Sequence, residues 1–119
     1  MTEWIFDRNG MAKLLFDDDC IRNDTGQVIA WISGVNVYSL NGRHVGWFEN
    51  GVLYDSKNKM LGFIRNVSGY LPSMPGISGV PGTPGLSGKP GRPGLSGNPG
   101  RPSYGGWSEE NLGKYFNSK

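Results

Sequence analysis

Residues 76–102 read GISGVPGTP, GLSGKPGRP and GLSGNPGRP, three nine-residue units with glycine at every third place. Proline recurs too often there for a helix or a sheet ladder, since both need the backbone N–H that proline lacks. What remains is polyproline II, single or wound as a collagen-like helix. Residues 72–106 carry only Met74, Ile77, Val80, Leu86, Leu95 and Tyr104 as sizeable apolar side chains. A core must therefore come from about the first 70 residues, and one that small calls for extra burial, by oligomerisation or by packing of the tail. The chain divides into a head, 1–71, a Pro/Gly-rich segment, 72–106, and a closing stretch, 107–119.

Charge follows the same division. Residues 1–71 hold seven Lys/Arg against eight Asp/Glu, whereas 72–106 hold Lys89, Arg92 and Arg101 and no acid. Three spaced cations attract a polyanion weakly, which disfavours nucleic acid as a partner. The single Cys20 excludes an intrachain disulfide. The opening Met1-Thr2-Glu3-Trp4-Ile5-Phe6-Asp7 lacks the basic start and apolar stretch of a signal peptide, and no run approaches a membrane span, so a cytoplasmic setting is expected.

The head has a repeat of its own. From Ile5, blocks of sixteen align without a gap: Ile5, Ile21, Val37 and Leu53 open them, Gly10, Gly26, Gly42 and Asn58 stand sixth, and Leu15, Trp31, Trp47 and Phe63 stand eleventh. Shared chemistry at equivalent places marks a repeated supersecondary unit. Asn9-Gly10, Thr25-Gly26, Asn41-Gly42 and Lys57-Asn58 suit hairpin turns that need positive φ. Second turns follow at Asp17-Asp18, Ser33-Gly34, Asn50-Gly51 and Arg65-Asn66. The β-branched and aromatic runs between them predict eight short antiparallel strands, two per block, around a common axis. Strict alternation puts Val45 and Trp47 on one face and His44, Gly46 and Phe48 on the other. Both faces are apolar, so cover is expected on both, and a small residue at the tenth place, Ala30, Gly46 or Gly62, marks close approach of another backbone.

Taken together, Trp4-Ile5-Phe6-Asp7-Arg8-Asn9-Gly10, the central Val37 to Phe48, the junction Gly69-Tyr70-Leu71-Pro72 and the closing Tyr104-Gly105-Gly106-Trp107-Ser108 resemble the four-fold beta-flower domain family of small bacterial and phage proteins. The resemblance implies an all-β fold of four hairpin petals about a pseudo-four-fold axis, followed by a proline-glycine strap. It carries over no catalytic residue. For a phage-encoded chain the host cytoplasm is the implied setting. Asp17-Asp18-Asp19-Cys20 and Asn58 depart from the repeat.

Three fates stay open for the tail. Fully extended, its 27 residues would reach roughly 80 Å. It docks as a single strand on its own or a neighbouring head, with its glycine face against backbone, or forms a collagen-like trimer, or remains a linker. After it, Ser108 reads as an N-cap and Trp107 as a staple to Leu112, opening a short amphipathic helix whose Leu112, Tyr115 and Phe116 share a face.

Little catalytic chemistry is present. His44 is the only histidine, and with Cys20 it makes neither a nucleophilic nor a zinc site. Asp17-Asp18-Asp19 reads as a turn rather than a calcium loop. No cofactor motif occurs. Trp31 and Trp47 with Arg43 and His44 suggest a repeated aromatic pocket, to which Lys59, Arg92 and Arg101 could add charge for a small anionic, nucleotide-like ligand. The plainer reading makes the eleventh column core. The function expected is a non-enzymatic structural or interaction module that forms homo-oligomers. An oligomeric protein that binds or sequesters a small ligand is the alternative, and a collagen-like fibre component the second.

Overall fold

The spacing of turn residues in the sequence reappears as a spacing of hydrogen bonds. In the computed structural model, which describes residues 2–65 and 79–119, the backbone N–H groups of Asp7, Asn23, Ser39 and Asp55 donate to the carbonyls of Met11, Gln27, Arg43 and Lys59 at 2.8–2.9 Å. The side-chain oxygen of each also accepts two N–H groups of its own turn: Asp7 from Asn9 and Met11, Asn23 from Thr25 and Gln27, Ser39 from Asn41 and Arg43, Asp55 from Lys57 and Lys59. Side chains that bond their own turn in this way define where a strand must stop. Gly10, Gly26, Gly42 and Asn58 take φ of 77, 91, 84 and 61° there. Asparagine tolerates that region, so Asn58 fills the glycine place without breaking the pattern.

Between the turns run β1 (Thr2–Phe6), β2 (Ala12–Asp17), β3 (Cys20–Arg22), β4 (Val28–Ser33), β5 (Asn36–Ser39), β6 (His44–Glu49), β7 (Val52–Tyr54) and β8 (Met60–Phe63). Each strand pairs antiparallel with its neighbours in sequence, and β8 meets β1 through Phe63 and Phe6, closing an eight-stranded barrel. The tight turns at the other end fall at Asp18, Gly34 and Asn50-Gly51, all with positive φ. The first two lie one residue beyond the Asp17-Asp18 and Ser33-Gly34 expectations, because Asp17 and Ser33 are still paired strand residues. Asn66 and the Gly69–Pro72 junction lie outside the described residues.

A bulge in every long-turn hairpin corrects the expected faces. Val37 pairs with Gly46 and Tyr38 with His44, so Val45 is an extra residue. The same irregularity falls at Ile5/Phe6, Ile21/Arg22 and Leu53/Tyr54. An extra residue shifts the alternation by one. Val45 consequently packs in the main core with Ile5, Leu14, Ile21, Ile32, Val37 and Leu53, while the His44 ring lies beside Trp47 on the other face, 4.8 Å between centroids. Behind the bulge Gly46 leaves room for the carbonyl of Tyr54, and Gly62 for that of Phe6. The close backbone expected at the tenth column is thus the adjacent strand.

The closing stretch also differs from expectation. It is a 3-10 helix, Leu112–Ser118, preceded by Asn111 with no side-chain cap bond. Ser108 is held elsewhere: its hydroxyl donates to Asp55 Oδ2 at 2.6 Å and accepts from Glu110 N–H at 3.0 Å. Trp107 packs on Phe63 rather than on Leu112. Leu112, Tyr115 and Phe116 do share a face, and it joins the barrel core. Tyr115 fixes them by donating its hydroxyl to Val45 O at 2.6 Å and accepting from Ser56 N–H at 3.0 Å. Burial of its ring pushes the Tyr115 phenol up from its ordinary pKa.

Candidate functional site

The outer surface of the barrel is made by the residues that alternation and bulge turn away from the core, and the tail covers it. Leu15, Trp31, Trp47 and Phe63 are all buried, at 0, 3, 3 and 0 % exposure, yet none belongs to the main core cluster. The eleventh column is therefore a second, outer apolar layer. Residues 79–106 form no strand or helix and pass along it from β1 to β8. The molecule measures 37 × 36 × 24 Å, so a tail that would extend roughly 80 Å is folded back on its own head.

The contact has a register. Ser87 N–H donates to Gly26 O at 3.2 Å, Ser96 N–H to Gly42 O at 2.8 Å and Gly105 N–H to Asn58 O at 3.3 Å. Arg92 lies 5.2 Å from the centroid of Trp31, and Arg101 5.4 Å from that of Trp47 and 4.8 Å from that of Tyr54. Each nine-residue step of the tail thus matches one sixteen-residue step of the head. Ahead of these anchors Trp4 Nε1 donates to Pro81 O, and among them Leu95 packs on the Cys20, Val28, Trp31 and Tyr38 cluster and Tyr38 hydroxyl bonds Asn98.

Each notch under an arginine pairs an aromatic ring with an acid. Arg92 donates to Ile32 O at 2.8 Å and stands 3.9 Å from Asp19, which Lys89 also meets at 2.7 Å. The lysine ammonium holds the Asp19 carboxyl below its usual range. Arg101 donates to Asn58 Oδ1 at 2.8 Å and pairs with Glu49 at 2.7 Å. Guanidinium groups suit such sites because a flat, weakly hydrated cation stacks on a ring while its edge bonds an acid. The tail reaches deepest at Arg22, 3 % exposed. Its Nε bonds Asp17 at 2.8 Å, and its Nη1 donates to Gly26 O and Ser87 O, both at 2.7 Å. A buried ion pair is tolerated where its remaining hydrogen-bond capacity is met in this way.

The expected site residues are thus only partly brought together. Trp31 with Arg92, and Trp47 with Arg101 and His44, do meet, but the tail's own arginines occupy the places assigned to a ligand. Arg43 stands apart, exposed on the β5–β6 turn, where its backbone bonds Ser39. Lys59 lies beside Gly105. His44 bonds Asn36 Oδ1 at 3.0 Å and donates its backbone N–H to Ser96 Oγ at 3.0 Å. Its burial lowers the imidazole pKa. Cys20 is fully buried among apolar side chains, which raises its thiol pKa. The Cβ directions of the tail glycines point away from the head: a Cβ at any of Gly79, Gly82, Gly85, Gly88, Gly91 or Gly94 would meet nothing within 4 Å, and it is the carbonyls of Gly85 and Gly94 that press on the barrel. The narrow places are on the barrel instead, at Gly26 and Gly42.

Asp17, Asp19, Arg22, Glu49 and Asn58 were not legible as tail anchors in the sequence. A signal for Arg22 existed, since its column otherwise reads Phe6, Tyr38 and Tyr54 and a lone cation there needs a buried acid.

A closed antiparallel barrel clasped from outside by a glycine-proline tail defines the architectural class. The 4-fold beta flower protein family matches residues 3–116, and the chain belongs to that family. No curated protein and no solved structure matches it significantly.

Proposed function

We propose that this protein is a non-enzymatic structural or interaction module: four hairpin petals about a pseudo-four-fold axis, clasped by a polyproline II strap and self-assembling through head and strap. The observation that carries this reading is the nine-for-sixteen register between tail and barrel, a fit that devotes the outer aromatic layer to holding the chain's own segment. It favours a clasp over a projecting collagen-like rod. The surroundings of His44, an amide and two aromatic rings, give it a packing role. Self-assembly is supported by apolar side chains left on the outside, Leu86 and Tyr104 on the tail and Met11, Val35 and Leu40 on the turns. Among the described residues no helix is long and apolar enough to cross a membrane, and we place the module in the cytoplasm.

Size-exclusion chromatography with light scattering and small-angle X-ray scattering tests this. A compact oligomer is the expected result. A compact monomer would remove self-assembly and leave the clasp; an elongated trimer with a rod of roughly 80 Å would replace both with a fibre component.

A further inference from the structure

The barrel closes at β1 and β8, and beside this seam lies a cleft of about 250 Å³ lined by Thr2, Glu3, Trp4, Phe6, Arg65 and Val80. Comparison with the other quarters of the barrel shows what it lacks. Sixteen residues beyond Glu3 stands Asp19, which the tail neutralises with Lys89. The tail residue nine places before Lys89 is Val80, so beside Glu3 an isopropyl group replaces the ammonium. On the opposite wall, Phe6 and Arg65 occupy the places that Tyr54 and Glu49 hold around Arg101. The tail does not deliver an arginine there. Beyond Gly106, Trp107 packs on Phe63, and Glu110, nine beyond Arg101, lines a separate cleft beside Arg8.

Two charges therefore face this cleft without the partners their equivalents receive. In one of the two equivalent places the acidic residue is retained, as Glu3, and in the other a cation, Arg65, stands in its stead. The ion pairs found among the described residues involve Arg22, Lys89, Arg92 and Arg101, not Arg65 or Glu3. The Trp4 and Phe6 rings and Val80 line the same cleft. An apolar wall with a few convergent polar groups is the usual make-up of a small-molecule site.

We propose that this cleft binds a free α-amino acid with an apolar or aromatic side chain. Its carboxylate pairs with Arg65, its ammonium with Glu3, and its side chain lies on Trp4, Phe6 and Val80. A guanidinium binds a carboxylate through two parallel hydrogen bonds, which favours this polarity over the reverse. The site is distinct from the aromatic notches filled by Arg92 and Arg101, and it stands whether or not the protein self-assembles.

Isothermal titration of the full-length protein with L-phenylalanine tests it. Saturable binding with Kd of about 1 mM or tighter is expected for a ligand of this size. Phenylalanine methyl ester, which lacks the carboxylate, and N-acetylphenylalanine, which lacks the ammonium, should each bind roughly tenfold more weakly. Arg65→Gln should reproduce the first loss and Glu3→Gln the second, while Arg43→Gln, on the exposed β5–β6 turn, leaves binding unchanged. The analogues are read on the unaltered protein, so the result does not depend on a variant folding. No saturation with phenylalanine or leucine, or equal binding of the ester, would overturn the proposal.

Discussion

Gly42 lies so close to Gly94 that a Cβ on Gly42 would overlap the Gly94 carbonyl oxygen, whereas a Cβ on Gly94 would point into open space. The two glycines of one contact thus do opposite things. Gly42 also sits at φ 84°, where a side chain is strained. Gly42→Ala should cost on the order of 2 kcal/mol, from backbone strain plus displacement of the tail. Gly94→Ala should fall within about 0.5 kcal/mol of the parent. Urea unfolding of both variants checks this, and a Gly94 effect as large as that of Gly42 would refute the assignment of the close approach to the barrel.

Asp17 and Arg22 form the most buried ion pair among the described residues, with side chains 12 and 4 % exposed. Removing one partner strands the other charge, so Asp17→Ala should destabilise by about 3–5 kcal/mol. Asp17→Ala with Arg22→Met removes both charges and should recover part of that loss. Because Arg22 also holds Ser87 O and Gly26 O, the double variant should still expose the tail near Ser87 to protease. A double variant less stable than Asp17→Ala would show that Arg22 is stabilising in its own right.

The tail ion pairs are a different case. Lys89 and Asp19 are 37 and 52 % exposed and Arg101 and Glu49 are 28 and 43 % exposed. Solvent screening leaves such exposed pairs little net stabilisation. They set where the tail lies more than how firmly, and backbone bonds and the outer aromatic layer supply the rest.

These examples mark what could be read from the sequence. The turn residues announced themselves, because Asx side chains and glycine have local reasons to be there, and eight strands followed from their spacing. The bulge did not: it places Val45 and Gly46 together through a pairing between strands, and no single run of residues records that. The tail's partner surface was visible as the aromatic column, but which tail residues it would receive was not. Arginine at the X position of a Gly-X-Y unit reads as a solvated cation until the acid facing it, Asp19 or Glu49, is brought near by closure of the barrel.

His44 gives a pH dependence confined to one quarter of the barrel. Its ring is flanked by Tyr38 and Trp47, bonds Asn36, and lies near Arg101, itself paired with Glu49. Burial lowers its folded pKa below 6.5, so the folded state prefers the neutral ring. The stability this provides is present above pH 6.5 and is lost as pH falls below that value toward the folded pKa. Asp19, lowered by Lys89, acts in the same direction only below 3.8, the ordinary pKa of an aspartate carboxyl. In the neighbouring quarter the equivalent residue is Val28. His44→Val should therefore remove the stability change between about pH 7 and 5 while leaving the acid limb. The protection of the Ser96 amide against hydrogen exchange, corrected for the pH dependence of the intrinsic rate, should fall from pH 7 to 5 in the parent and stay flat in the variant; unchanged protection in the parent would dismiss the effect.

The register itself predicts how the tail responds to a change of length. Arg92 and Arg101 are nine residues apart and sit over Trp31 and Trp47, which are sixteen apart. Inserting one Gly-Asn-Pro triplet after Pro93 keeps the glycine period and the tail's composition, yet moves Arg101 off Trp47 by three residues, about 9 Å if extended. Inserting the nine residues Gly-Leu-Ser-Gly-Asn-Pro-Gly-Arg-Pro at the same point instead restores an arginine over Trp47 and leaves the surplus beyond it. The triplet should lower the melting temperature and expose Trp47 to acrylamide quenching, while the nonapeptide should leave Trp47 protected. For a tail held only by composition, the longer insertion would be the more disruptive of the two, which would refute the register.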